Sequence, residues 1–146
     1  MQRNATFETF GGTDTLISDY SYWSVQARPK QVTLGALVIL AHGPATAFSE
    51  LPPNAFAELA EVIEDVETTT RATFGNDKIN YLMLMMVDPH VHFHVLPRYK
   101  APAAFQGATY PDPGWPGQPN LGASEGLADV AMVAGVLRRA WPKPRD

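Results

Sequence analysis

Polar and apolar residues alternate with a period of two through the segment PHVHFHVLPR, residues 89–98. In a strand, residues i, i+2 and i+4 share one face. His90, His92 and His94 are therefore expected to form a row on one side. Val91, Phe93 and Val95 form an apolar stripe on the other, and that stripe fixes which face is buried.

The same reading along the chain gives the remaining elements. Residues 15–26, rich in aromatic and β-branched types, predict one strand or a short hairpin. Residues 33–40, TLGALVIL, read as a buried strand, and the polar ARPKQV before them reads as a turn. From Asn54 to Phe74 the apolar positions Phe56, Leu59, Val62, Ile63 and Val66 recur at helical spacing, with Pro52 and Pro53 at the entrance and Gly75 as the stop. Residues 78–87, KINYLMLMMV, are apolar on both faces and predict a central strand covered on both sides, joined to the histidine strand by a tight Asp-Pro connection. Residues 100–122 are too dense in proline and glycine for a long helix or central strand and predict a loop. Ser124 to Trp141 then predicts a helix with Ser124 near its N-cap, followed by a short tail. The order strand, helix, strand, strand, helix implies one α+β domain over residues 1–146, with a helix on an antiparallel sheet.

Composition narrows the function. A net charge of −4 argues against a nucleic-acid partner held on a basic face, but leaves room for a small phosphorylated ligand in a local pocket. The absence of cysteine excludes disulfides and thiolate metal sites and is compatible with a reducing compartment. The N-terminal residues lack the apolar core of a signal peptide, and the longest apolar run is far shorter than the roughly 18 residues of a membrane span. The expectation is a cytoplasmic protein with no membrane partner.

Three chemistries suit a histidine row. A metal is one, but strand geometry puts neighbouring Cα atoms about 6.5–7 Å apart and the outer pair about 13 Å apart, so one ion would need two neighbours and a ligand from elsewhere. Nucleophilic chemistry is the second: a neutral imidazole attacks at pH 7 without a separate base, while flanking imidazoles donate to phosphate oxygens and protonate a leaving group. Binding without turnover is the third.

The segment HVHFHVL, His90 to Leu96, resembles the motif of the histidine triad family, and the following Pro-Arg is similar to its diadenosine polyphosphate hydrolase branch. The upstream VQARP and GALVIL stretches and the order of elements extend the resemblance more weakly. It implies a five-stranded antiparallel sheet with one long helix and a C-terminal helix, and a homodimer that binds nucleotides. It further implies that His92 attacks the α-phosphorus of a nucleoside 5′-phosphate derivative, giving a nucleotidyl-histidine, with His90 and His94 flanking. By the same resemblance Gln26 takes the place of a ribose-binding residue, Asn80 lies near the phosphates, and Arg98 offers a bidentate phosphate contact. No cofactor is implied, and a divalent cation would come only with the substrate. Two departures bear on the substrate. Relatives often carry a glycine-rich, glutamine- and hydroxyl-bearing phosphate cradle before the first histidine, where this chain has MMVDP. Relatives also carry a histidine where this chain has Gly35 and Ala36.

Overall fold

The computed structural model describes residues 2–143 and Arg145. Two short helices open the chain, α1 (Ala5–Thr9) and α2 (Gly12–Thr15), neither apparent in the hydrophobic pattern. A hairpin follows, β1 (Leu16–Asp19) and β2 (Trp23–Ala27), then β3 (Leu37–Ala41), the long helix α3 (Pro53–Phe74), β4 (Lys78–Leu82) and β5 (His92–Arg98). A second hairpin, β6 (Ala103–Phe105) and β7 (Ala108–Tyr110), precedes the C-terminal helix α4 (Val130–Ala140). The main sheet has five strands in the order β1-β2-β3-β5-β4, every pair antiparallel. This is the α+β architecture expected.

Alternation along the strands sorts the sheet into two unlike faces. Trp23, Val25, Ala27, Leu37, Ile39, Ala41 and Val95 point to one side and join Leu59, Val62 and Val66 of α3 and Val133, Ala134 and Leu137 of α4 in the main core. The indole N–H of Trp23 donates to the Ala55 carbonyl at 2.8 Å, tying sheet to helix. On the other side, Val38 and Leu40 pack under Phe7 and Phe10 of the N-terminal segment, while Leu96 packs with Val32, Ala36 and Ala123. Helix α3 starts with proline in its first turn and ends on Gly75 at φ 70°, close to the expected bounds. Phe56 departs from its assigned face: it is 42% exposed and lies against Phe48 rather than in the core.

Several expectations are corrected. Residues 78–87 are not a central strand. β4 is the sheet edge and stops at Leu82, and beyond it Met86 and Val87 are 83% and 92% exposed. A short apolar run does not reveal whether its second face is covered. The link to β5 is correspondingly long rather than a tight Asp-Pro turn, and His90 precedes the strand, which begins at His92. The 100–122 segment contains the β6–β7 hairpin, turned by Gln106 and Gly107 at φ 50° and 80°. Helix α4 starts at Val130, capped by the Asp129 carboxylate accepting from the Ala131 amide at 2.9 Å, not at Ser124. Among the described residues, no helix is long and apolar enough to cross a membrane.

Candidate active site

Strand register places the histidines. His94 sits opposite Val38 and His92 opposite Leu40, on the face away from α3 and α4, while Phe93 faces Ile39 and the main core. The period-two argument therefore holds for His92 and His94. His90 reaches the same neighbourhood from the connection, its Nδ1 2.7 Å from the Thr6 hydroxyl of α1.

The hydrogen bonds set a consistent tautomer for the central pair. His92 Nδ1 lies 2.6 Å from the His90 carbonyl, which only accepts, so the proton is on Nδ1 and Nε2 is the unprotonated nitrogen. Arg28 Nε donates to His94 Nδ1 at 3.3 Å, which leaves the His94 proton on Nε2. That N–H faces His92 Nε2 at 3.3 Å. Burial, the Arg28 cation and His92 push the His94 pKa down to about 4, so His94 is neutral at pH 7. Burial likewise lowers that of Arg28, whose guanidinium is half out of water. Phe10 packs against both rings, 5.4 Å from His92 and 5.9 Å from His94 between centroids.

His92 is only 2% exposed, yet it is not sealed. His92, His94, Arg28, Phe10 and residues 84–88 line a cleft of about 220 Å³. Sites for drug-sized ligands usually start near 300 Å³, so this volume suits a phosphate and part of its substituent.

The other expected residues lie elsewhere. Gln26 is fully buried on the histidine face, but its amide donates to the carbonyls of Phe7 and Gly12 at 2.9 and 3.2 Å. It holds the N-terminal helices to the sheet. Asn80 and Arg98 share the histidine face at its far end, where Asn80 Oδ1 accepts from Arg98 Nη1 at 2.7 Å. Arg98 also forms a bidentate pair with Asp112 at 2.7 and 3.2 Å, in which the two side chains are 4% and 0% exposed. Its fork is engaged by the chain itself. In the 100–122 segment, Phe105 packs edge-on against Phe74 of α3, and Tyr110 packs against the main core. Neither lines the cleft.

Sequence reasoning missed Arg28, Thr6 and Phe10. For Arg28 a signal existed: it lies two residues beyond Gln26, so the strand period carries it onto the same face. Thr6 and Phe10 had none, because α1 and α2 are too short to show periodicity.

Residues 15–101 match the HIT domain family, and the chain belongs to it. A histidine triad protein from Sinorhizobium meliloti superposes with a TM-score of 0.70 at 19% identity, covering 94% of each chain. One from Bradyrhizobium japonicum gives 0.68 at 21% identity, covering 94% of this chain and 95% of its own. A hypothetical histidine triad nucleotide-binding protein from Sulfolobus tokodaii gives 0.64 at 16% identity over 86% and 82%. At such identities the likeness is one of fold. No curated protein matches the chain.

Proposed function

We propose that the protein is a nucleotide hydrolase or transferase acting on a nucleoside 5′-phosphate derivative through a nucleotidyl-histidine on His92. The observation that carries this reading is the bond from His92 Nδ1 to the His90 carbonyl, which presents the Nε2 lone pair in a cleft shared with Arg28. Family membership and the Sulfolobus relative, described as nucleotide-binding, support the substrate class.

In the first step His92 Nε2 forms a bond to the α-phosphorus as the bond to the leaving group breaks. Phosphorus displaces the His94 N–H from that lone pair, and the released N–H turns to a phosphoryl oxygen. His90, oriented by Thr6, protonates the departing oxygen or nitrogen. In the second step the oxygen of water or another hydroxyl acceptor bonds to phosphorus as the P–N bond breaks, its proton passes to His90 to replace the one given to the leaving group, and the pair of electrons returns to His92 Nε2. A neutral nucleophile avoids the repulsion an anion meets at phosphorus. Dinucleoside polyphosphates and phosphoramidates are the two candidate substrate types. By the same family resemblance, we take the working form to be a homodimer.

Incubation with adenosine 5′-phosphoramidate and with diadenosine polyphosphates, followed by acid-quenched mass spectrometry, tests the reading. Turnover of either, with an adenylyl group on His92, is expected. Absence of both turnover and adduct overturns it.

A second reading, nucleotide capture with little turnover, draws on the cleft wall at residues 84–87, which supplies no donor side chains for phosphate. Tight AMP binding without catalysis favours it. The metal-binding alternative needs a third ligand, and among the described residues no three His, Cys, Asp or Glu converge on a common point. Elemental analysis of untagged protein decides that alternative directly.

A further inference from the structure

The geometry points to Arg28 as the residue that binds the substrate's phosphate, in place of the donor-rich cradle this chain lacks before His90. This inference rests on the nucleotide reading above and names a residue for it.

The first support is what surrounds Arg28. Besides the histidines, the cleft is lined by Phe10, by the apolar side chains of residues 84–87, and by Asp88. Arg28 is the one other side chain in that lining able to donate a hydrogen bond. An anion entering beside His92 meets no other positive group there.

The second support is how Arg28 is partnered. Its Nε donates to His94 Nδ1 and its Nη1 to the Lys30 carbonyl at 2.7 Å. Among the described residues, Nη2 has no hydrogen-bond acceptor and no carboxylate lies within ion-pair distance, Asp88 included. The one buried arginine among the described residues is treated differently: Arg98 pairs with Asp112. A guanidinium half withdrawn from water with no counter-charge is unfavourable unless an anion completes it.

The third support is rigidity. The Arg28 amide donates to the Ala36 carbonyl at 2.8 Å, extending the β2–β3 ladder by one residue. Gln31 closes the turn behind it, its amide donating to the carbonyls of Arg28 and Ala36 and its Oε1 accepting from the Gly35 amide. Gly35 is at φ 85°, and a Cβ there would come within 2.8 Å of the Phe74 ring, so this turn requires glycine. The bond to His94 then aims the guanidinium along the imidazole pair. A donor held in this way loses little freedom on binding phosphate.

The test is calorimetric titration of wild type, Arg28→Gln and Arg28→Lys with AMP, adenosine and inorganic pyrophosphate. Arg28→Gln is expected to weaken AMP at least about tenfold while leaving adenosine unchanged, because a charge-assisted contact to the phosphate is lost. Arg28→Lys should fall between, keeping charge but not the fork. Equal weakening of AMP and adenosine would assign Arg28 a structural role and overturn the inference. AMP binding insensitive to Arg28 overturns it while leaving the nucleotide reading intact. Pyrophosphate binding lost in Arg28→Gln, with no nucleotide bound by wild type, upholds the phosphate contact and overturns the nucleotide reading. Binding of no anion by wild type overturns both.

Discussion

Two arginines project from the same face of one sheet, and the chain treats them oppositely. At the far end of β5, Arg98 is buried, doubly bonded to Asp112 and bonded again to Asn80. At the near end, Arg28 touches a histidine and a carbonyl and has no acid partner among the described residues. Residue type alone would assign both to phosphate. The difference lies in the counter-charge. A paired arginine fastens the Pro/Gly-rich segment to the sheet, whereas an unpaired one beside neutral imidazoles remains available for a ligand. Under the proposed function, one end of the strand serves stability and the other chemistry.

The sharpest way to separate the ends is to remove the central histidine. His92→Ala should abolish turnover by at least about ten-thousand-fold, as loss of a nucleophile does, with little change in melting temperature. Appreciable residual activity in a stopped assay would place the chemistry elsewhere.

Arg98→Ala should do the reverse. Leaving Asp112 buried and uncompensated is expected to cost about 3–5 kcal/mol in chemical denaturation, with the folded fraction keeping its rate per molecule. A rate loss in protein shown to be folded would instead bring Arg98 back to the substrate.

pH probes the near end. His94 has a folded pKa of about 4 against 6.5 unperturbed. Between those values the unfolded chain binds a proton that folded His94 refuses, so stability is full above pH 6.5 and declines as pH falls toward 4. The expected loss is about 1–3 kcal/mol, and it should shrink in His94→Gln. A stability curve unchanged by that substitution would dissociate His94 from the effect.

The smallest effect is expected at Thr6. Thr6→Val removes the hydroxyl that holds His90 and should cost about 1 kcal/mol of stability. It should slow substrates with poor leaving groups more than those with good ones. Equal slowing of both would show that His90 does not protonate the departing group.

Much of the frame is legible in the sequence because it depends on local periodicity. The α3 bounds and the shared face of His92 and His94 follow from spacing alone, whereas the antiparallel pairing of β4 with β5 holds across a connection longer than the tight turn expected. What spacing cannot supply is the identity of neighbours. Nothing local in KINYLMLMMV says whether another strand lies beyond it, so an edge reads as a centre. The strands beside the Gln106–Gly107 turn are too short to show alternation, so that segment reads as a loop. The site was half legible for the same reason. The histidine row is a local pattern, whereas the allotment of Asp112 to Arg98 and of the Gln26 amide to α1 and α2 is settled only by long-range contacts.

The two walls of the cleft are anchored unequally. Phe10 belongs to a segment bonded to the sheet through Gln26, whereas residues 84–88 make no backbone–backbone hydrogen bonds among the described residues, and Met85 sits at φ 43°. Local opening should follow that inequality, with amide protons at 84–88 exchanging far faster than those at 10–12. Ligands would then enter and leave by displacement of the methionine-rich side alone, and the dwell time of a bound ligand would be governed by residues 84–88 rather than by the histidines beneath it.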